Sequence, residues 1–159
     1  MTAIQSDASV MDLARFYLGD IPHIRELGME LVEVGCGDAT MRLPYRSDLV
    51  GDPDTGVLHG GAVTVLIDSV CGLSVLSAMR NPGPIATLDL RIDYLKPATP
   101  NEDLLAEAHA YKVTNNIAFI RASAWHSDPE DAVAFCVCTF MKNTKGPDFS
   151  SSKVRDLAK

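Results

Sequence analysis

One carboxylate stands out in this chain because it lies alone in a long apolar segment. Residues 57–79 carry a single formal charge, that of Asp68. Burying an unpaired carboxylate is costly, so an acid in such a place usually has a chemical use. The segment opens with His59-Gly60-Gly61, and a glycine-rich helix start exposes backbone N–H groups that can hold a negative oxygen. Oriented amides together with a lone carboxylate predict acyl chemistry.

The spacing of these groups predicts how many chains build the site. Gly60 and Asp68 are separated by about 12 Å along an α-helix that rises about 1.5 Å per residue. An oxyanion donor and a base that act on one carbonyl must both lie within about 3 Å of the reacting atoms. One copy of the helix therefore cannot supply both groups. Two antiparallel copies related by a two-fold axis can, so we expect a site shared within a dimer.

The composition is that of a globular protein with one domain. The chain has 159 residues, of which 47% are hydrophobic and 22% are charged, and this is enough for a substantial core. The formal net charge of −7 disfavours nucleic acid and membrane surfaces as partners. A phosphorylated small molecule stays compatible with that charge, because local basic groups suffice within a Debye length of about 8–10 Å.

Cysteine and histidine usage gives no sign of a metal or cofactor. The four cysteines show no CxxC spacing: Cys36, Cys71, Cys136 and Cys138. We interpret them as core thiols of a reducing compartment rather than as disulfide partners or metal ligands. The histidines outside the His-Gly-Gly motif are widely separated, so metal binding is not expected. The first residues lack the charged and apolar regions of a signal peptide, and we expect a cytoplasmic protein.

The order of elements predicts a sheet wrapped around one helix. Apolar periodicity and Gly/Pro breaks predict helices at 8–18 and 23–27, strands at 29–33 and 40–44, a polar loop at 45–55, a long apolar helix that ends before Asn81-Pro82-Gly83-Pro84, and strands at 85–94, 104–113, 117–125 and 132–141. Asn115-Asn116 predicts a tight turn of the kind that favours positive φ. Since the long helix is apolar on every side except at Asp68, an antiparallel curved sheet must surround it, which is an α+β fold.

Two sequence blocks resemble one known family. The first is Gly56-Val57-Leu58-His59-Gly60-Gly61 followed by Leu66-Ile67-Asp68, and the second is the run from Thr87 to Pro97. Together they resemble the hotdog-fold acyl-CoA thioesterases of the PaaI-like, phenylacetate-pathway type, and the resemblance extends from about Leu27 to Met141. We therefore expect a hotdog domain at 27–143, a tail with short helices at 1–26 and a polar tail at 144–159.

The resemblance implies a thioester hydrolase that acts on acyl-CoA without a cofactor. Asp68 falls on the family's catalytic carboxylate, which acts as general base or as nucleophile. Gly60 falls on the residue whose backbone N–H polarises the thioester carbonyl. His59 matches a histidine that orients the loop and the thioester, and Thr87 lies where a hydroxyl helps to hold the attacking water. Family members are homodimers or dimers of dimers, with no nucleic-acid or membrane partner implied.

The sequence also departs from the family pattern. The family usually has Asn six residues before the histidine, and here that position is Pro53. We expect substrate contacts from a further set of residues: Asp54, Gly61, Gly72, Arg91 and Lys96. The departure at Pro53 leaves an acyl-CoA-binding or sensing protein without hydrolysis as the alternative. Enoyl-CoA hydratase or dehydratase chemistry on the same fold fits poorly, because those relatives pair a histidine with an acid in a different loop arrangement.

Overall fold

A computed structural model describes residue 15, residues 17–19 and residues 21–144. Most of the helix predicted at 8–18, and the tail beyond 144, lie outside the described residues. Within them the elements are, in chain order, helix α1 (Pro22–Leu27), strands β1 (Glu30–Val34) and β2 (Asp38–Leu43), a 3₁₀ turn (Ser47–Leu49), strands β3 (Val50–Asp52) and β4 (Val57–Leu58), helix α2 (Gly60–Ala78), and strands β5 (Ile85–Tyr94), β6 (Leu104–Val113), β7 (Ile117–Trp125) and β8 (Ala134–Lys142).

A six-stranded antiparallel sheet curves around the long helix. The strand order is β1-β2-β6-β7-β8-β5, and the middle of α2, including Leu66, Ile67 and Leu73, is fully buried against it. By length and composition α2 could cross a membrane, but most of it is enclosed within this chain. It is therefore the core helix of the domain. The predicted α+β hotdog arrangement, with an antiparallel curved sheet around one long hydrophobic helix, is confirmed.

The segment before α2 has more structure than the polar loop predicted at 45–55. It contains the 3₁₀ turn and strand β3, and Val50 in β3 pairs with Leu58 in β4. Gly51 lies so close to the neighbouring strand that a Cβ there would be 2.8 Å from the Cα of His59. The two short strands thus fix the backbone that leads into α2. The loop prediction was wrong here because a three-residue strand with a central glycine has too few side chains to show alternation.

The β6–β7 connection confirms the predicted turn but not its backbone conformation. The turn is closed by Thr114, whose backbone N–H and side-chain hydroxyl both donate to the carbonyl of Ile117 at 2.8 Å. Among the described non-glycine residues, positive φ occurs at Asn101 and Asn143. Asn115 and Asn116 therefore keep negative φ, and the expectation of positive φ was wrong.

Strand β5 lies at the edge of the sheet and contains a β-bulge. It pairs with β8 along one side, and the other edge has no partner strand among the described residues. Thr87 pairs with Phe140 and Asp89 pairs with Thr139, so Leu88 is an extra residue without a cross-strand partner. A bulge of this kind shifts the faces of the residues on either side. Thr87 consequently lies on the same, helix-facing side of the sheet as Leu90.

Candidate active site

Asp68 lies midway along α2 and meets a side chain from the edge strand. The carboxylate is half-buried, and its Oδ1 accepts a hydrogen bond from the Thr87 hydroxyl at 2.9 Å. This contact depends on the bulge in β5. With regular alternation Thr87 and Leu90 would face opposite sides of the sheet, since they are three residues apart. The extra residue Leu88 brings Thr87 to the side that faces the helix.

The surroundings of Asp68 favour its neutral form more than water does. Burial raises the pKa of the Asp68 carboxyl, and negative charge at the nearby Cys136 acts in the same direction. The hydrogen bond from Thr87 acts in the opposite direction, because it stabilises the ionised carboxylate. Asp68 is therefore a stronger base than an exposed aspartate, and Thr87 limits how far its pKa rises.

A cavity of about 360 Å³ opens beside this carboxylate. Most of the surface that lines the cavity is apolar, although several of the lining residues also carry polar groups. The lining residues are Tyr17, Ile21, His23, Ile24, Thr64, Val65, Asp68, Ser69, Thr87 and Leu90. The cavity thus lies between α2, the edge strand β5 and the chain at and before α1. Since Asp68 and Thr87 share its wall, an apolar group bound there would lie against the carboxylate. Sequence reasoning missed Tyr17, Ile21 and Ile24, because nothing in their local pattern indicates which element they cover.

The space beside Gly72 is occupied within the chain. A Cβ on Gly72 would lie 2.7 Å from the Tyr17 hydroxyl. That hydroxyl donates to the backbone carbonyl of Ser69 at 3.4 Å. Burial and the charge of Asp68 raise the pKa of Tyr17 well above its usual value, so Tyr17 is a neutral phenol. The absence of a side chain at Gly72 leaves room for Tyr17. Tyr17 therefore lies between Gly72 and any bound acyl group, and the predicted contact of Gly72 with substrate is blocked.

The start of α2 is built by His59, which caps the helix. The imidazole Nδ1 accepts a hydrogen bond from the backbone N–H of Gly61 at 2.9 Å, which satisfies one of the free donors of the first turn. The ring lies so close to Gly61 that a Cβ there would be 2.8 Å from Nδ1. His59 therefore acts here as an acceptor and orients the helix start, and Gly61 is needed for that cap.

The backbone N–H of Gly60 lies beside the cap, at an exposed residue. Gly60 is exposed, and no hydrogen bond from its N–H is found within the described residues. Its carbonyl, in contrast, accepts from the Tyr94 hydroxyl at 2.8 Å and from the Thr64 hydroxyl at 3.0 Å. These two bonds fix the orientation of the Gly60 carbonyl at the first turn. Sequence reasoning missed Tyr94, whose place at the end of β5 becomes informative only once β5 is known to lie beside α2.

The other predicted contact residues are not gathered around Asp68. Asp54 is exposed in the β3–β4 turn, where its N–H donates to the Asp52 carboxylate at 3.1 Å. Arg91 pairs across the sheet with Val137, on the side away from α2, and its side chain is 74% exposed and paired with Asp93 at 3.1 Å. Lys96, which follows the end of β5 at Tyr94, forms an ion pair with Asp131. Within one chain none of these groups reaches the carboxylate.

The carboxylate of Asp52, next to the unusual Pro53, is used locally. It accepts from the Thr55 hydroxyl at 2.7 Å as well as from the Asp54 N–H. Both hydrogen bonds lower the pKa of Asp52. Asp52 therefore stabilises the turn that contains Pro53.

Three of the four cysteines meet in the core beneath Asp68. The sulfur atoms of Cys71, Cys136 and Cys138 lie within 4.8 Å of one another, and all three residues are buried. The prediction of core thiols is confirmed for these three and wrong for Cys36, which is exposed. Hydrogen bonds from the two other thiols lower the pKa of Cys136. The pKa values of Cys71 and Cys138 are raised.

Comparison with known proteins identifies a matching family and related sequences. The family model described as Thioesterase superfamily matches residues 55–133, which include the His-Gly-Gly motif, α2 and strands β5 to β7. The medium/long-chain acyl-CoA thioesterase YigI of Escherichia coli is 24% identical over 155 residues, which cover 89% of this chain and 99% of YigI.

Solved structures show the same fold. A crystal structure of a Pseudomonas aeruginosa protein is 38% identical, with a TM-score of 0.77 over 84% of this chain and 98% of that one. The PaaI protein of the Escherichia coli phenylacetic acid degradation operon is 14% identical, with a TM-score of 0.79 over 88% of this chain and 97% of PaaI, and so shows the shared fold. With its sheet wrapped around α2 and its matching motif, the chain belongs to the thioesterase superfamily and has the PaaI-like hotdog fold.

Proposed function

We propose that this protein hydrolyses an acyl-CoA thioester to a free acid and CoA. The observation that carries the proposal is the Asp68 carboxylate, held by Thr87 at the wall of an apolar cavity. YigI, which is similar along nearly its whole length, is named as a medium/long-chain acyl-CoA thioesterase. We also propose a cytoplasmic location, which the free thiols of the core support.

In the proposed reaction Asp68 removes a proton from water as the water oxygen attacks the thioester carbonyl. Thr87 occupies Oδ1, and no described residue donates a hydrogen bond to Oδ2, so Oδ2 is available to the water. Negative charge then develops on the carbonyl oxygen, and a backbone N–H at a helix start can stabilise it. Collapse of the tetrahedral intermediate expels the CoA thiolate, which takes up the proton. Direct attack by Asp68, forming an anhydride, is the competing route for the same carboxylate.

We assign the oxyanion donor to Gly60 of a second subunit. Its N–H makes no hydrogen bond within the described residues, but Gly60 lies about 12 Å from Asp68 along the same helix. The ten-residue strand β5 presents an edge that has no partner strand among the described residues, and an edge of this kind can pair with a strand of another chain. Leu88 and Tyr94 on this strand are both 51% exposed. Pairing of two β5 edges about a two-fold axis would cover them and bring the two α2 helices into antiparallel proximity.

The first experiment measures thiol release from acyl-CoAs of short, medium, long and aromatic acyl groups. Asp68→Asn is compared with the wild type and with Glu102→Gln, which removes one carboxylate from an exposed loop. We expect release that depends on the acyl group and falls by about 10²–10⁴-fold in Asp68→Asn, the usual contribution of a general base. Saturable binding of acyl-CoA without thiol release would favour the binding protein instead.

The second experiment tests the backbone donor with a matched pair of variants. Gly60→Pro removes the N–H at the first helical position, where proline is well tolerated, and the extended backbone of His59 (φ −61°, ψ 133°) suits a residue that precedes proline. Gly60→Ala keeps the N–H, and its Cβ would meet Tyr94 at an ordinary 3.5 Å. We expect Gly60→Pro to lose about 10²–10³-fold in kcat and Gly60→Ala to stay near wild type. Equal activity of the two variants would remove Gly60 from the mechanism.

The third experiment tests whether the site is shared between subunits. Mixed dimers of Asp68→Asn and Gly60→Pro chains contain one site with both defects and one site with neither, if each site takes its two groups from different chains. Coexpression should then restore activity that neither variant has alone. If both groups acted within one chain, every site would keep one defect and no activity would return.

A further inference from the structure

The buried cysteines form a set of soft ligands that the proposed hydrolysis does not use. Cys136 and Cys138 lie two residues apart on the helix-facing side of β8, and Cys71 approaches them from α2. All three sulfur atoms lie within 4.8 Å of one another. Bonds of about 2.3 Å from a central atom to each sulfur would place the sulfurs about 3.5 Å apart in a pyramidal three-coordinate arrangement and about 4 Å apart in a planar one. The sulfur–sulfur distances of at most 4.8 Å in the cluster therefore need to shorten by no more than about 1.3 Å to bind such an atom.

The number of ligands and the burial restrict what that atom can be. Among the described residues no His, Asp or Glu side chain joins the three thiols, whereas structural zinc takes four ligands. Relative exposures are 0% for Cys71, 3% for Cys136 and 0% for Cys138, so a complex with net charge would be costly. Three thiolates around a monovalent or divalent metal leave net negative charge. Three thiolates around a trivalent centre leave none.

We propose that Cys71, Cys136 and Cys138 form a binding site for trivalent arsenic, taken up as arsenous acid. Three S–H bonds and three As–O bonds break, three As–S bonds form, and each hydroxyl leaves with a thiol proton as water. No electron is transferred, and the product in the core is neutral. Trivalent arsenic is soft and three-coordinate with thiolates, which matches a cluster with three sulfurs and no further ligand.

The test uses the intact protein in a Cys36→Ser background, which removes the exposed thiol and leaves the three buried ones. After incubation with arsenous acid, mass spectrometry under non-denaturing conditions should show one arsenic gained and three hydrogens lost. An adduct on only two thiols differs in mass, because the arsenic keeps a hydroxyl group and only two thiol hydrogens are lost. Because the site is enclosed in the folded state, the adduct should raise the Tm of the protein, and the Tm should increase with the concentration of arsenous acid.

Matched variants then decide whether all three thiols take part. Cys71→Ala, Cys136→Ala and Cys138→Ala are each made in the same background, and those that keep the wild-type circular dichroism spectrum are compared. Loss of one of three linked ligands should weaken arsenous acid binding by about 100-fold and abolish the three-hydrogen adduct. A hydroxyl-bearing adduct in the Cys36→Ser protein, or undiminished affinity in any folded variant, would overturn the proposal. The assay does not use catalysis, so its result is independent of the proposed hydrolysis.

Discussion

Thr87→Val removes the hydrogen bond to Asp68 while keeping the shape of the side chain. Because Thr87 lowers the pKa of Asp68, its loss should raise that pKa, and the carboxylate should need a higher pH to act as a base. Activity that depends on ionised Asp68 rises through this pKa, so the acid limb of the pH profile should move to higher pH. Thr87→Ser, which keeps the hydroxyl, is the matched control.

The size of the change follows from the geometry of the contact. The bond is 2.9 Å long and joins a neutral hydroxyl to a charged oxygen, a type that contributes about 1.5–3 kcal/mol. Asp68 is half-buried and the Thr87 side chain reaches solvent, so the lower end of this range applies. A loss of about 1.5 kcal/mol moves the midpoint of the acid limb upward by about 1 pH unit.

The assay is kcat/KM for thiol release, measured from about pH 4 to pH 9 for the wild type, Thr87→Val and Thr87→Ser. A limb that moves in Thr87→Val and stays in Thr87→Ser supports the contact as the cause. The plateau at high pH reports separately on any role in holding water, because Asp68 is fully ionised there. If Thr87→Val leaves the limb in place, the hydrogen bond does not tune the pKa of Asp68 and the role assigned to Thr87 is refuted.

Further predictions concern stability and the helix cap. Asp68→Asn should raise the Tm at neutral pH, because burial raises the folded-state pKa of Asp68 and the ionised carboxylate is therefore less stable in the folded protein than in the unfolded chain. The gain in Tm should vanish below about pH 3.9, where the carboxyl is protonated in the unfolded chain as well as in the folded one. Thermal melts of the variant and the wild type across this pH range measure the difference. Gly61→Ala should displace the His59 ring, so that the rate of thiol release falls by more than about tenfold. The free energy of unfolding in urea should change little, because the gain in helix propensity from glycine to alanine offsets the loss of the His59 cap. The buried N–H of Gly37 donates to the Ser77 hydroxyl at 3.0 Å. Ser77→Ala removes this acceptor, so the free energy of unfolding should fall by about 1–3 kcal/mol while kcat stays unchanged.

The parts of the fold that the sequence predicts well are those with repeated local signals. Strands β5, β6 and β7 begin and end at the residues expected from alternation and from the prolines and asparagines between them. The lone charge of Asp68 and the glycines of the helix start likewise indicate the candidate site. Short-range patterns suffice for these features, because each depends on neighbours in the chain.

The remaining features depend on contacts between distant segments. Alternation places Thr87 and Leu90 on opposite faces, and only the pairing of β5 with β8 reveals the extra residue between them. Likewise, the sequence shows that Cys136 and Cys138 share a face, but the rotation of α2 decides that Cys71 points at them. Such features arise from register and helix packing, which composition and periodicity do not determine.

The bulge in β5 has a consequence for insertions and deletions in this strand. Leu88 is the residue without a cross-strand partner. In a chain that lacked Leu88, Thr87 and Asp89 would be consecutive residues of a regular ladder, and Thr87 would still pair with Phe140. A deletion at this position would leave the hydroxyl facing the helix, whereas a deletion between Asp89 and Tyr94 would exchange the faces of every residue on one side of it. Relatives can therefore differ by one residue in the length of this strand and keep the same partner for the acid, provided that the difference falls at the bulge.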